Sequence, residues 1–365
     1  MVMPNLNFFE NLKSTYIIAE IGVNHNGKLA LARRLILQAK KAGASYVKIQ
    51  NYISENLVTK YAPKAKYQKN NLKSSTGQIS MLKKYELNQK DYFLLKKFSK
   101  LKKIELISSV FDTESLFFVK KKLKFKIIKI PSGEITNFNL LKNLNIKKDK
   151  IIISTGMSNL KEICDALNII FKKTIYKLKD DKVEIKNKKY LNKFKRNISI
   201  LHCVTSYPVE KKYANLNAIG ELKKSFSLET GYSDHTTGTL ASLIAISRGA
   251  TIIEKHITLD RKMVGPDHKA SLTFKEFKSL VDEGNQIIQM MGNGKKIIQK
   301  CEIQNLIPAR KSIVAKKTIL KGQRFSEKNI DTKRPGSGIS ASKIDFIIGK
   351  KAVKNFKKDE LIIIK

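Results

Sequence analysis

The stretch that decides the fold is GYSDHTTGTLASLIAISRGATIIEKHITLD, residues 231–260. It holds two of the five histidines of the chain, His235 and His256, each after a short apolar run and before a polar turn. Short apolar runs of this kind are typical of buried strands in a parallel sheet, whose strands end at the same edge. The stretch therefore predicts two neighbouring strands whose terminal histidines can converge.

Runs of the same type recur towards the N-terminus, mostly with helix-like segments between them. They are YIIAEIG (16–22), YVKIQ (46–50), ELISSVF (105–111), FKIIKIPSG (125–133), KIIISTG (150–156), ISILHCV (198–204), LETGYSD (228–234) and TIIEKHI (251–257). Eight such strands predict an α/β fold of the (β/α)8 TIM-barrel type. An open doubly wound sheet is the structural alternative, but no GxGxxG turn follows the first run.

After the barrel the pattern changes to short alternating runs and glycine turns. The sequence predicts a barrel domain over residues 1–285, a linker over 286–307 and a small β-rich domain over 308–365. Such a small module buries little core of its own, so we expect it to dock on a partner surface. Within the barrel, the long connection at 56–80 predicts a functional loop, and the charged one at 172–196 predicts an exposed insertion.

The chain is strongly basic, with a formal net charge of +41. Its lysines are scattered, and no RNA-binding aromatic signature or zinc-finger spacing accompanies them, so we expect no nucleic-acid partner. The apolar runs are too short to cross a membrane, and the first residues lack the layout of a signal peptide. Three widely spaced cysteines imply no disulfide framework. These features predict a cytoplasmic protein without a membrane partner.

Two lysines within predicted strands, Lys48 and Lys129, are costly to bury unless each meets an anion. Serines at the same strand ends could donate hydrogen bonds to that anion, which favours a phosphate and carboxylate site. The alternative is that each lysine pairs with a glutamate of a neighbouring strand.

The two convergent histidines favour a metal site, because imidazole is the commonest metal ligand in proteins. Two histidines with carboxylate or carbonyl oxygens would suit Mn²⁺ or a similar divalent ion. The alternative is two histidines that are merely hydrogen-bonded in the core.

Eight motifs, in chain order, resemble the sialic acid synthase family, which contains N-acetylneuraminate synthase and its legionaminate and pseudaminate relatives. They are AEIGVNHNG, VKIQ, KIPSGEITN, STGMS, HCVTSYP, GYSDHT, IEKHIT and GPDHKASL. The later segment TKRPGSGI resembles the SAF (antifreeze-like) domain of that family. The resemblance covers nearly the whole chain.

The resemblance implies a phosphoenolpyruvate-dependent transferase that forms a carbon–carbon bond. Carbon C3 of phosphoenolpyruvate would join the aldehyde of an N-acylated mannosamine-type sugar, water would attack C2, and phosphate would leave by C–O cleavage. A divalent metal ion, Mn²⁺ or Mg²⁺, and a domain-swapped homodimer are also implied.

The resemblance further assigns roles to individual residues. Glu134 and Glu20 would be the catalytic carboxylates, with Glu134 moving protons around C3 and the attacking water. His235, His256 and Gln50 would hold the ion or its waters. The substrate-binding residues would be Lys48, Ser109, Lys129, Ser132, Ser154, Tyr207, Ser233, Asp267 and, from the partner chain, Arg334.

The leading hypothesis is an N-acetylneuraminate synthase that uses N-acetylmannosamine. The first alternative is a legionaminate synthase that uses 2,4-diacetamido-2,4,6-trideoxymannose, and a pseudaminate synthase ranks below it. Synthases of 3-deoxy-heptulosonate or octulosonate phosphates are a further alternative within the barrel class. They lack the SAF domain, so the C-terminal segment of this chain argues against them. A binding protein that uses its basic surface is the non-enzyme alternative, and it would not require intact lysines, histidines and Glu134.

Overall fold

A computed structural model describes residues 15–72 and 77–364 of the chain. The first residues of the chain, which we expect to lack a signal peptide, and residues 73–76 of the predicted loop lie outside the described part. The strands, in chain order, are β1 (Tyr16–Glu20), β2 (Tyr46–Asn51), β3 (Glu105–Val110), β4 (Ile127–Ile130), β5 (Lys150–Ser154), β6 (Tyr176–Lys179), β7 (Lys182–Ile185), β8 (Ile198–Cys203), β9 (Glu229–Asp234), β10 (Ile252–His256), β11 (Ser312–Ala315) and β12 (Ile330–Lys333).

Eight of these strands form a closed parallel barrel in the order β1-β10-β9-β8-β5-β4-β3-β2. The predicted (β/α)8 barrel is therefore confirmed. The α-helices, in chain order, are α1 (Leu29–Lys41), α2 (Ser54–Leu57), α3 (Lys66–Leu72), α4 (Gln78–Tyr85), α5 (Gln89–Leu101), α6 (Thr113–Phe117), α7 (Phe138–Leu141), α8 (Leu160–Phe171), α9 (Lys188–Phe194), α10 (Ala218–Phe226), α11 (Leu240–Ser247), α12 (Phe274–Met291), α13 (Leu306–Ala309) and α14 (Ile344–Ile347). None of the described helices combines the length and the apolar character needed to cross a membrane.

Two separate apolar clusters of the first unit are built on the barrel strands. The larger cluster lies between the outward faces of the strands and the surrounding helices. The smaller one comes from seven strands and contains Ile18, Tyr46, Ile107, Ile127, Ile152, Leu201 and Ile252. Because side chains alternate along a strand, the next residue on the same face lies two positions further on.

Moving two positions along each of these seven strands changes the chemistry from apolar to polar. The residues reached are Glu20, Lys48, Ser109, Lys129, Ser154, Cys203 and Glu254. Strand β9 adds Ser233, two positions after Gly231, at which a side chain would collide with Leu201 and Ile252. The eight strands therefore have an apolar floor towards their N-terminal ends and a polar layer above it.

The predicted insertion between β5 and β8 contains the antiparallel hairpin β6–β7 and helix α9. The hairpin is anchored by Tyr176, whose hydroxyl donates a hydrogen bond to the carbonyl oxygen of Phe226 at 2.9 Å. The ring of Tyr176 also lies against Phe171 and Phe226 in the outer core. The exposed lysines of this segment therefore extend from an anchored element.

The chain divides into two compact units, residues 1–292 and 293–365. Helix α12 continues to Met291, so the first residues of the predicted linker are helical. In the second unit, β11 and β12 form an antiparallel pair over a small core that includes Ile313, Phe325 and Phe356. Two small antiparallel sheets thus lie outside the barrel, β6–β7 in the first unit and β11–β12 in the second.

Candidate active site

A cavity of about 370 Å³ lies at the C-terminal ends of the barrel strands, where TIM-barrel active sites are found. Most of the predicted site residues line it, namely Lys48, Gln50, Ser109, Lys129, Ser132, Glu134, Ser154, Tyr207, Ser233, His235, His256 and Asp267. Two predicted residues do not. Glu20 is fully buried beside Lys48, and Arg334 is an exposed residue of the second unit.

The two buried lysines differ in how fully they are paired. Lys48 Nζ lies 2.9 Å from Glu20 Oε2 and 3.1 Å from Glu254 Oε1, and it donates to Ser109 Oγ at 3.0 Å. Lys129 Nζ donates to Ser154 Oγ at 2.5 Å, and its contact with a carboxylate is a longer one of 3.8 Å to Glu254. The pairing of lysine with neighbouring glutamates, the alternative raised from the sequence, thus describes Lys48 better than Lys129.

Burial and the neighbouring charges shift the pKa values of the lysines and carboxylates of this cluster in different directions. It lowers the pKa of Lys129 to about 8, although the negative charge of Glu254 opposes the shift. It also raises the pKa of Glu20 above its ordinary value, against the effect of Lys48. Burial alone would raise the pKa of Glu254 too, but Lys129 and Lys48 lower it to about 2. Glu254 therefore keeps its charge, and Glu20 is the carboxyl group that readily takes up a proton.

The two histidines meet inside the cavity, as the opening stretch predicted. Their ring centres are 5.6 Å apart. The Nδ1 atom of His235 is 2.9 Å from the carbonyl oxygen of Val204, so Nδ1 carries a proton and donates there, and Nε2 is the atom that would be available to a metal ion. Burial lowers the pKa of His256 well below its ordinary value, which keeps this ring in the neutral form that binds metals.

Unsatisfied polar atoms surround these rings. His256 Nδ1 and Asp267 Oδ1 are buried without a hydrogen-bond partner, and Nδ1 lies 4.0 Å from the other oxygen of Asp267. Buried polar atoms are seldom left unpaired, so these atoms suit an ion or its waters. Within the described ranges, however, no three His, Cys, Asp or Glu side chains are placed to hold an ion by themselves. The residues would fit a divalent ion only with further ligands from water or substrate.

Gln50 lies beside this group rather than between the rings. Its Nε2 donates to Glu20 Oε1 at 3.3 Å. A side chain on Gly22 would collide with Glu20 Oε1, 2.6 Å away, and would lie 3.0 Å from Gln50 Nε2 and 3.4 Å from His256 Cε1. Gly22, with a φ of 32°, therefore allows three predicted site residues to approach one another.

Glu134 lies on the short 3₁₀ turn Ser132–Glu134, directly after Pro131. Its Oε2 accepts a hydrogen bond of 2.7 Å from Asn137 Nδ2. Partial burial raises the pKa of Glu134, Asn137 opposes that shift, and the charge of Asp112 adds to it. A carboxyl group that lines a cavity and has a raised pKa is suited to accept a proton and to return it.

Two tyrosine rings lie beside the histidines, tilted against one another. The Tyr207 ring centre lies 4.0 Å from that of His235 and 4.9 Å from that of Tyr67. Tyr67 belongs to α3, and Asn71 of the same helix donates to the carbonyl oxygen of Pro266 at 2.6 Å. The predicted loop at 56–80 thus reaches the segment that carries Asp267 and forms one wall of the cavity.

The lining residues absent from the predicted set include Glu254, Cys203 and Tyr67. Glu254 and Cys203 follow apolar floor residues by two positions, so the strand pattern contained the signal for both. Cys203 Sγ lies 3.8 Å from His235 Nδ1, which makes it a cavity residue as well as a buried thiol. Tyr67 carries no comparable signal, because it lies in a long connection with no strand register.

Comparisons with known proteins identify the family. The NeuB family model matches residues 35–296, and the SAF domain model matches residues 310–363. The chain is 46% identical to the N,N'-diacetyllegionaminic acid synthase of Campylobacter jejuni over 96% of this chain and 99% of that protein. It is 38% identical to the N,N'-diacetyllegionaminic acid synthase of Legionella pneumophila over 93% of this chain and 91% of that protein.

A solved structure agrees with these matches. The crystal structure of the N-acetylneuraminic acid (sialic acid) synthetase of Leptospira borgpetersenii in complex with citrate has a TM-score of 0.65 and 33% sequence identity. The match covers 80% of this chain and 90% of that one. The chain therefore belongs to the NeuB family of sialic acid synthases, phosphoenolpyruvate-dependent transferases that form a carbon–carbon bond, and it carries a C-terminal SAF domain.

Proposed function

We propose that the protein is an N,N'-diacetyllegionaminate synthase, which condenses phosphoenolpyruvate with 2,4-diacetamido-2,4,6-trideoxymannose. The observation that carries this proposal is that two relatives named for this activity share 46% and 38% identity with nearly the whole chain. The family resemblance alone had placed N-acetylneuraminate synthase first. These relatives favour the alternative over that hypothesis.

In this proposal the polar layer binds phosphoenolpyruvate. The Lys129 ammonium group, whose nearest carboxylate oxygen is 3.8 Å away, would take an oxygen of the phosphate or carboxylate. The hydroxyl groups of Ser132 and Ser154 face the same cavity and would donate hydrogen bonds. Ser233 also lines the cavity, and its hydroxyl donates to Glu254 Oε1 at 2.9 Å, so it would have to turn to reach the substrate. The Ser132 hydroxyl oxygen already accepts a hydrogen bond of 3.0 Å from the backbone of Gly156, which fixes its position.

The reaction forms one carbon–carbon bond, and at C2 a bond to the oxygen of water replaces the bond to the phosphate oxygen. Carbon C3 of phosphoenolpyruvate attacks the sugar aldehyde carbon, and the aldehyde oxygen takes up a proton to become a hydroxyl group. Water adds to C2, and phosphate leaves with the oxygen that joined it to C2. Glu134 is the group we assign to take the proton from the attacking water, because it lines the cavity and its raised pKa makes it a stronger base than an ordinary carboxylate.

A divalent ion completes the proposed site. His235 and His256 would hold Mn²⁺ or Mg²⁺, with Asp267, Gln50 and Glu20 beside the ion or its waters. When bound, the ion supplies a Lewis acid that polarises the aldehyde oxygen of the sugar. The unpaired Nδ1 of His256 and Oδ1 of Asp267 support this assignment.

The sugar is tested by measuring phosphate release from phosphoenolpyruvate in the presence of Mn²⁺. We expect a higher kcat/KM with 2,4-diacetamido-2,4,6-trideoxymannose than with N-acetylmannosamine. A higher kcat/KM with N-acetylmannosamine would return the assignment to N-acetylneuraminate synthase. Release with neither sugar, from folded protein that has bound Mn²⁺, would contradict both assignments.

Arg334 is proposed to act on a partner chain, as part of a domain-swapped homodimer. We expect the Lys129→Met and Arg334→Ala variants to be inactive alone. When the two are unfolded and refolded together, mixed dimers contain one intact barrel facing one intact Arg334. Random pairing should then restore roughly a quarter of wild-type activity.

The complementation assay needs wild-type protein treated in the same way as its control, because refolding alone loses activity. If Arg334 served its own barrel, neither site of a mixed dimer would be intact, and mixing would restore nothing. That result, or a monomer in analytical ultracentrifugation, would contradict the proposed exchange.

A further inference from the structure

An ion pair without contact to the cavity lies directly behind the two histidines. Lys255 Nζ is 2.9 Å from Asp234 Oδ2, and both side chains are completely buried. The two residues are opposite each other in the register of β9 and β10. Because Ser233 and Glu254 face the cavity, alternation turns Asp234 and Lys255 to the outer side of the barrel wall.

This pair holds the backbone that follows His235. Asp234 Oδ1 accepts a hydrogen bond of 2.8 Å from the backbone N–H of Thr236, and Lys255 Nζ donates to the carbonyl oxygen of Thr236 at 2.5 Å. Ser242 Oγ of α11 donates to Asp234 Oδ2 at 2.6 Å. The two charged groups thus fix both polar groups of one residue, and they connect that residue to the helix behind the wall.

A buried ion pair is an expensive way to fill this space. Removing both charges from water costs more than a pair of apolar side chains of the same size would cost. Each charged residue comes directly before a proposed metal ligand in the sequence, since Asp234 precedes His235 and Lys255 precedes His256. A purely structural role would not require charge at these two positions in particular.

We propose that Asp234 and Lys255 are positioning residues, which hold His235 and His256 at the separation that a divalent ion requires. The pair acts through the Thr236 backbone on His235, and through its own place in β10 on His256. This inference rests on the proposed metal site, and it concerns how the chain prepares that site before any substrate binds. Polar groups behind metal ligands commonly change metal affinity by about 10–100-fold when they are removed.

The test replaces the pair in the full-length protein. The variant D234L/K255M keeps the approximate size of both side chains and leaves no unpaired charge. The milder variant D234N/K255M keeps an acceptor for the Thr236 N–H and removes the donor to its carbonyl oxygen. The matched control, K120M/D149N, removes the ion pair of 2.6 Å between Lys120 and Asp149, which precedes β5 at the other end of the barrel.

Three quantities are measured for each variant. They are the dissociation constant of Mn²⁺ by calorimetry without substrate, the hydrogen exchange of the Thr236 amide, and the KM for phosphoenolpyruvate. We expect D234L/K255M to bind Mn²⁺ about tenfold or more weakly and to exchange the Thr236 amide faster. D234N/K255M should lie between it and the wild type, and the KM for phosphoenolpyruvate should stay unchanged in both.

The outcomes separate the inference from the function on which it rests. Folded double variants with wild-type Mn²⁺ affinity would overturn the positioning role while leaving the synthase assignment intact. An equal loss of affinity in K120M/D149N would overturn it as well, because the effect would then be global. If D234L/K255M does not fold, D234N/K255M decides. A wild type that binds no Mn²⁺ would overturn the metal assignment, and this inference with it.

Discussion

Replacing Glu134 with glutamine should lower kcat by about 10²–10⁴-fold, the usual range for loss of a general acid–base group. Glutamine has nearly the same shape and can keep the hydrogen bond with Asn137 that holds Glu134 Oε2 at 2.7 Å. It cannot take a proton from water. The loss should therefore appear in kcat, with little change in the KM for phosphoenolpyruvate.

The measurement is steady-state phosphate release over a range of pH. Because burial raises the pKa of Glu134, the base form is present above that pKa and is lost as the pH falls through it. The kcat of the wild type should thus decrease as the pH falls through the pKa of Glu134, and Glu134→Gln should lose that part of the decrease. Glu105→Gln is the matched control, since Glu105 begins β3 at the other end of the barrel. If the kcat of Glu134→Gln equalled that of the control, Glu134 would have no role in proton transfer.

Replacing Lys129 with methionine should lower kcat/KM for phosphoenolpyruvate by about 10²–10³-fold. A buried charge paired with a ligand is commonly worth about 2–5 kcal/mol when it is removed. The substitution also removes one of the two lysines that lie close to Glu254, so that Glu254 keeps its contact with Lys48. The effect should fall on the affinity for phosphoenolpyruvate rather than on the affinity for the sugar.

The pH dependence of the same constant provides a second check on Lys129. Burial lowers its pKa to about 8, so the charged form that attracts an anion is present below that pH and is lost as the pH rises through it. Wild-type kcat/KM for phosphoenolpyruvate should therefore fall above pH 8. Lys129→Arg should have a lower kcat/KM than the wild type, but this constant should not decrease above pH 8, because arginine stays charged.

The control for both variants is Lys126→Met, which removes the same charge from an exposed residue just before β4. If Lys126→Met weakened the binding of phosphoenolpyruvate as much as Lys129→Met does, the overall positive charge of the protein would explain the effect. Lys129 would then have no direct role in binding.

The sequence contained more of the site than its motifs alone reveal. The apolar runs placed His235 and His256 at neighbouring strand ends, and the structure brings their ring centres within 5.6 Å. The same runs also contain the two-residue step from floor to polar layer, which leads from Ile252 to Glu254 and from Leu201 to Cys203. Both residues were predictable once the inward face of each strand had been chosen.

Other features depend on contacts that no periodic pattern encodes. Tyr67 reaches the cavity because Asn71 bonds to Pro266, across a separation of 195 residues in sequence. The pairing of Lys48 with two glutamates could not be read from composition either, since it depends on the stagger between strands. The position of Arg334 relative to any barrel stays a prediction of the family resemblance.

The closure of the barrel between β1 and β10 has a consequence for synthesis of the protein in the cell. In the pairing of these two strands Glu20 lies opposite His256, so the first and the last barrel strands to leave the ribosome meet at the site. A nascent chain that ends before β10 has Lys48 and Lys129 without Glu254, and it has at most one of the two imidazoles. Such a chain cannot close the barrel, and the polar layer is complete only after β10 has been made.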